Sequence, residues 1–328
     1  MGRRNPLAQG ILTGLSLGFC RLTALLPLPA ARALGRGLAR LAYFAVPRMR
    51  SIGMANLDLA YGETLTRAEK ESILRESARN LGLVAAEFSR IPRIAAGNMG
   101  QWFRIRGLEN IDRTRGSVFM GAHLGNWEWL APAAATAGIN SVIIVRGFDD
   151  PRMDNAVDAI RQSGRVQTLD KNSATGPMLQ RMREGWVAGI LADQNPRENG
   201  IPARFFGVTT WATVGPVLIA RRARAPIYPV SMARDEAGVY TLEFRPALEL
   251  QATGDLLADL AVNTQRCQDA IEAMVREHPG QWLWFHRRWR RRERLEQEWE
   301  ARQSRHSDKG GADGDNGGGS MEKAPCSE

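Results

Sequence analysis

Ser117-Val118-Phe119-Met120-Gly121-Ala122-His123-Leu124-Gly125-Asn126-Trp127-Glu128-Trp129-Leu130-Ala131-Pro132 is the stretch on which the rest of the chain is read. Residues 117–122 form a short apolar run with a branched residue, bounded upstream by Arg115-Gly116, and predict a buried strand. His123 stands where that strand ends. Gly125 and Asn126 break the run, and Asn126 is a good N-cap for a helix opening at Trp127, with Glu128 in its first turn. Inside one helix, positions 123 and 128 would face about 140° apart, at roughly 100° per residue. A polar corner removes that obstacle. Glu128 can then reach one imidazole nitrogen, fix the tautomer and favour the charged ring, leaving the other nitrogen to take a proton. A general base that activates a hydroxyl needs this arrangement. The same residue types equally describe an ordinary corner histidine and a glutamate that complements a helix dipole.

Outward from this stretch, short branched or aromatic runs alternate with helical patterns from Gln101 onward, which predicts an α/β fold: a mixed sheet flanked by helices. Strands are expected at 102–106, 117–122, 141–145, 185–192, 227–233 and 239–250, and helices at 127–137, 151–163, 214–224 and 256–277. Pro226 and Pro229 flank the start of one strand and mark it as an edge or a bulged strand. Active groups in such sheets gather at strand ends, where His123 and Arg146 both lie. Upstream, Thr66-Arg67-Ala68-Glu69 is a capping box that opens a helix to about Ser89, and Glu87 on it reads as a solvated glutamate.

His123-Leu124-Gly125-Asn126-Trp127-Glu128 resembles the H-x4-D/E motif of glycerolipid acyltransferases, in the form used by the bacterial lipid A biosynthesis acyltransferases. The resemblance runs in order from about Arg50 to Arg291: Arg50 with Asn56-Leu57, the acid at Asp193, Phe205-Phe206-Gly207, and Gln281-Trp282-Leu283-Trp284 with its arginine run. It implies that His123 and Glu128 are the catalytic pair, and that Arg161 and Arg146 stand where the family places functional arginines. Arg161 also has Asp158 within reach on its own helix. Asp193, Asn126 and Phe206 are further candidates for substrate binding, although buried phenylalanine pairs are more often plain core. Asn195 replaces a second acid that the family carries, which weakens any role needing two carboxylates, a metal site included. The implied activity moves a fatty acyl chain from acyl carrier protein to a hydroxyl of a lipid A precursor in lipopolysaccharide biosynthesis, with no cofactor, metal or acyl-enzyme. A related branch acylates other glycolipids such as phosphatidylinositol mannosides.

Composition sets the surroundings. With 44 Lys and Arg against 35 Asp and Glu, the chain has a net charge of +9, which calls for an acidic partner such as acyl carrier protein, a phosphorylated glycolipid or the anionic lipids of an inner membrane. Cys20, Cys267 and Cys326 are far apart and form no C-x-x-C, so neither a disulfide framework nor a zinc site is expected, and the active part is expected on the cytoplasmic face. The division expected is a membrane-associated N-terminal helix at 1–29, an acyltransferase domain at 30–303 and a disordered low-complexity tail at 304–328. Arg21 interrupts the apolar N-terminal stretch, so that helix is expected to embed in or lie along the inner membrane; a helix packed on the globular domain is the alternative. Ala30 to Met49 reads as a second helix, with arginines beside an apolar face.

The interleaved Trp and Arg of residues 281–292 suit a membrane interface, and also single-strand nucleic-acid binding. Nucleic-acid binding gives no role to His123 and Glu128, and neither a glycine-rich phosphate loop nor zinc-finger spacing accompanies it. A hydrolase using the same pair on water stays open, without a G-x-S-x-G elbow or an H-E-x-x-H to support it.

Overall fold

The computed structural model describes residues 6–97, 101–145, 147–170 and 174–312. Four helices come first: α1 (Pro6–Leu25), α2 (Leu28–Ala45), α3 (Pro47–Tyr61) and α4 (Arg67–Glu87). Pro47 divides what the apolar spacing joined into one helix, because its missing N–H and its ring suit a first turn and not an interior. The expected capping box at Thr66 and Glu69 is present with both of its reciprocal hydrogen bonds. After α5 (Ile91–Ala95) the sheet begins: β1 (Phe103–Arg106), β2 (Ser117–Gly121), α6 (Leu130–Thr136), β3 (Ser141–Val145), α7 (Pro151–Ser163), β4 (Val166–Asp170), α8 (Thr175–Arg183), β5 (Val187–Leu191), β6 (Gly200–Phe205), β7 (Val208–Thr213), α9 (Gly215–Ala223), β8 (Ile227–Arg234), β9 (Tyr240–Phe244), α10 (Leu256–Glu277) and α11 (Glu293–Ala312).

Seven strands form one mixed sheet in the order β1-β9-β8-β2-β5-β3-β4, while β6 and β7 make a separate antiparallel hairpin. The pairs from β8 through β2, β5 and β3 to β4 are parallel, and β9 runs antiparallel to β8. Strand β8 is interior, between β9 and β2, which rules out the edge alternative of the expected edge or bulged strand. Its two prolines fit because they act as acceptors: the Pro226 carbonyl takes the Val118 N–H at 2.9 Å and the Pro229 carbonyl takes the Arg245 N–H at 3.0 Å, so the ladder forgoes only a donor.

Alternation along β2 sends Val118 and Met120 to one face, against a core that includes α9 and α10, and Phe119 to the other, against the core under α5 and α6. Helix α1 packs on the second side. Thr23 Oγ1 lies 3.1 Å from Ser89 Oγ, and buried Arg90 donates to the carbonyls of Thr23 and Leu26 at the end of α1. Its outer face leaves Ile11, Leu12, Leu15 and Leu25 exposed. No helix among the described residues is long and apolar enough to cross a membrane. At the other end, α11 carries helix to residue 312, supported by the Arg294–Glu298 and Arg302–Glu298 pairs, so the stretch expected to be disordered from 304 is helical as far as it is described. Residues 313–328 lie outside the described residues.

Helices α2 and α4 touch backbone to backbone. A Cβ on Gly82 would stand 2.3 Å from the Gly35 carbonyl oxygen, so the crossing depends on glycine at both positions. Gly82→Ala is expected to lower stability by about 1–3 kcal/mol through overpacking. Gly37→Ala, where a Cβ meets nothing within 4 Å, is expected to be neutral or stabilising by about 0.4–1 kcal/mol. Thermal unfolding of the two variants side by side checks both.

Candidate active site

His123 lies just past the end of β2 in a turn that the surrounding chain pins from several sides. Gly125, at φ +59°, places its N–H on the Gln281 carbonyl at 3.0 Å, and a Cβ there would collide with the Met232 carbonyl, so the turn needs glycine. The Gly125 carbonyl accepts from Asn80 Nδ2 at 2.9 Å, and the His123 carbonyl accepts from Leu283 N–H at 3.0 Å. The C-terminal Gln281-Trp282-Leu283 segment is thus strapped across the histidine turn.

The partner of the imidazole is Asp193. Its Oδ1 lies 2.8 Å from His123 Nδ1, its Oδ2 accepts the His123 N–H at 3.1 Å, and Trp282 Nε1–H donates to the same Oδ2 at 2.8 Å. The sheet explains the pairing. Strands β2 and β5 are parallel neighbours with Gly121 opposite Leu191, so the residues two places beyond each, His123 and Asp193, emerge side by side. Glu128 does not hold the ring, contrary to the expectation. Residues 127–129 form a turn, the helix begins only at Leu130, and Glu128 faces α7, where Arg161 grips it with Nε at 3.0 Å and Nη2 at 2.8 Å. Such a two-pronged pair is geometrically specific.

Burial opposes charge on the His123 ring, but the Asp193 charge, its hydrogen bond and then the Glu128 charge outweigh it, so the pKa stands above the ordinary 6.5. Asp193 is fully buried, which raises a carboxyl; the His123 charge and hydrogen bonds overcome that and hold it well below the usual carboxylate range. Gln194 flanks the ring, with its Nε2 3.5 Å from His123 Nε2. Trp127 meets the ring edge-on at 5.2 Å.

His123, Glu128, Arg161 and Gln194 sit at one end of a cavity of about 650 Å³. Its walls run along the sheet face that carries Phe119, Ile143, Leu191, Val230 and Leu242, closed above by Leu130, Ala131 and Pro132. Gly121 and Gly189 lie where side chains would otherwise fill the floor. A polar mouth with one proton-accepting nitrogen, opening on an apolar slot, suits a long hydrocarbon substrate with a reactive polar end.

The remaining candidates divide. Asp193 stands behind the histidine, not against the cavity. Asn126 is fully buried and donates from Nδ2 to Glu87 Oε2 at 2.6 Å, which makes it a brace for the turn and not a helix cap or a substrate contact. Glu87, expected in solvent, is itself fully buried: Arg32 Nε donates to it at 2.5 Å and Tyr240 Oη at 2.8 Å, while its backbone carbonyl takes the Trp129 indole N–H. Phe206 lies apart from the cavity, packed on Phe205 at 5.0 Å and Tyr61 at 5.2 Å under the Arg276 guanidinium. Trp282, Trp284 and Arg288 are fully buried too, so this part of the aromatic and basic signature is core and strap, not an interface belt. Arg146 lies outside the described residues. Sequence reasoning missed the roles of Asn80, Glu87 and Trp282; the one available signal was a carboxylate spaced along α4 among apolar residues.

Comparison with known proteins follows the same residues. The family described as bacterial lipid A biosynthesis acyltransferase matches this chain over residues 7–291. The lipid A biosynthesis palmitoleoyltransferase of Escherichia coli K12 is 26% identical over 293 residues, covering 86% of this chain and 92% of that protein. The lauroyltransferase of the same organism is 24% identical over 292 residues with the same coverage. The phosphatidylinositol mannoside acyltransferase of Mycobacterium tuberculosis H37Rv is 23% identical over 236 residues, 68% of this chain and 72% of that one.

The raised imidazole pKa fixes the sign of a pH effect. A base must be neutral, so kcat/KM should fall on the acid side with a midpoint above 6.5. Asp193→Asn removes the main stabiliser of the charged ring; its expected outcome is a midpoint moved to lower pH and a rate down by roughly 10²–10⁴. A pH profile of single-turnover acyl transfer measures both, and an unmoved midpoint would contradict the pairing. Stability follows the same linkage: the contribution of the His123 charge is complete below 6.5 and is lost as pH rises through the raised value.

Proposed function

This chain belongs to the bacterial lipid A biosynthesis acyltransferase family, and we propose that it transfers a fatty acyl chain from an acyl carrier protein thioester to a hydroxyl of a phosphorylated lipid A precursor. The observation that carries the proposal is the His123–Asp193 pair at the mouth of an apolar cavity of about 650 Å³. In this reading His123 Nε2 takes the acceptor hydroxyl proton as the oxygen attacks the thioester carbonyl carbon. The C–S bond breaks, and the departing thiolate takes the proton back from the imidazolium. Asp193 stays ionised throughout and keeps Nδ1 protonated, so that Nε2 presents its lone pair. Arg161, held by Glu128 through Nε and Nη2, has Nη1 free of hydrogen bonds to described residues and would meet the carbonyl oxygen as charge develops on it. No covalent acyl-enzyme is invoked.

Placement follows from the substrates. Both lipid and product belong to a membrane, and the exposed leucines of α1 would let the protein lie on the cytoplasmic face of the inner membrane without crossing it. The similarity to a phosphatidylinositol mannoside acyltransferase supports a second acceptor class, another membrane glycolipid, served by the same base and cavity.

Deleting the gene and examining lipid A by mass spectrometry is expected to show a species short of one acyl chain. Unchanged lipid A, with acylation of a different glycolipid lost, would select the second acceptor class. Purified His123→Ala should transfer acyl groups roughly 10²–10⁴ more slowly while remaining folded, with a lowered melting temperature because buried Asp193 loses its ring partner. Normal turnover by that variant would remove His123 as the base.

A further inference from the structure

Helices α2 and α4 enclose a second crevice, apart from His123, of about 530 Å³. Arg36 and Arg40 from α2 and Arg75 and Arg79 from α4 line it, with buried Tyr43 at its base and Phe44 at its rim. Four guanidinium groups face a space whose lining contains one carboxylate, Glu76. That carboxylate already pairs with Arg79 at 3.2 Å, and Arg75 pairs with Glu71 at 3.0 Å. Arg36 and Arg40 form no ion pair with any described residue. Arg36 is partly buried among Arg79, Arg234 and Arg32, and Glu87, the acid whose charge acts on it, is already bound by Arg32, Asn126 and Tyr240. An anion entering the crevice would therefore relieve repulsion and accept charge-assisted hydrogen bonds at once.

The surroundings indicate the class of anion. On α2, Leu41 and Phe44 are 65% and 56% exposed, and at a spacing of three they form a short apolar row turned about 40–100° round the helix from Arg40. A free phosphate compound gives no use to such a row. An acidic protein could match the charge but would leave bulky apolar side chains half in water. A lipid leaflet takes both, with hydrocarbon receiving the apolar face and headgroup phosphates meeting the arginines. We propose that the α2–α4 crevice binds the phosphate of an anionic phospholipid headgroup, seating this face on the membrane. The inference builds on the membrane placement proposed above and is independent of the acyl-transfer chemistry.

The test uses the full-length protein and vesicles of phosphatidylcholine, alone or with phosphatidylglycerol, with binding read by co-sedimentation. Arg36→Gln combined with Arg40→Gln is compared with Arg221→Gln combined with Arg222→Gln, an equal loss of charge at two exposed arginines on α9. The expected result is tighter binding to the anionic vesicles, weakened about 30-fold by the α2 pair and far less by the α9 pair, with melting temperature unchanged in both. Leu41→Ser with Phe44→Ser should weaken binding to both vesicle types. Equal losses from the two arginine pairs would reduce the effect to net charge and overturn the site. Loss of acyl carrier protein binding with vesicle binding intact would also overturn it and assign the crevice to a protein partner. If the unmodified protein binds both vesicle types equally, the headgroup site falls and the membrane placement stands; if it binds neither, both fall.

Discussion

A buried carboxylate just past β5 holds the histidine turn together. Asp193 is removed from water entirely, a position that costs several kcal/mol for an unpaired ion. Three donors offset that cost: the His123 ring, the His123 backbone and the Trp282 indole. Two come from the residue just past β2 and the third from the C-terminal strap, so the charge is tolerable only when β2, β5 and the strap are all in place. The ion that sets the tautomer of the histidine also ties the strap to the sheet.

Glu87 has the same role on the far side of the turn. It too is fully buried, and it draws Arg32 from α2, Asn126 from the turn and Tyr240 from β9 onto one pair of oxygens. The histidine turn is therefore suspended between two desolvated carboxylates, one orienting the imidazole and the other holding the Asn126 side chain three residues later. Networks of this kind stabilise only when complete, because each remaining member would be left buried without a partner. Arg32 of α2 reaches Glu87 of α4 beside the crossing where glycines let the two backbones touch.

The sequence made the local elements legible and left their pairing hidden. Strand β3 and helices α7 and α10 are where periodicity and capping put them, because the signals for these elements are contiguous. Register is not contiguous. Nothing in the residues near His123 says that β5 is the neighbour of β2, so the nearest acid in sequence, Glu128, looked like the orienting partner, while the acid 70 residues away holds that place. Burial of charge was hidden for the same reason. Glu87 reads as solvated until its three partners arrive from separate elements, and Trp282 reads as interfacial until its indole N–H is seen to serve Asp193. The interior position of β8 was hidden because proline was weighed as a lost donor, when its carbonyl is what the ladder uses.

The cavity begins at the strand end where the pair stands. Alternation along β2 and β5 turns Gly121 and Gly189 toward the α6 side, and two missing side chains leave room along the sheet leading away from His123. A hydrocarbon chain lying there would gain about 0.8 kcal/mol for each methylene buried. Little of that gain would depend on the reacting centre, so in the proposed reaction it would serve to hold the carbonyl carbon at a fixed distance from the imidazole. A Cβ at Gly189 would stand 2.9 Å from Ile143 Cγ2 and one at Gly121 3.1 Å from Leu191 Cδ2, so a side chain at either would crowd the slot wall and not the imidazole.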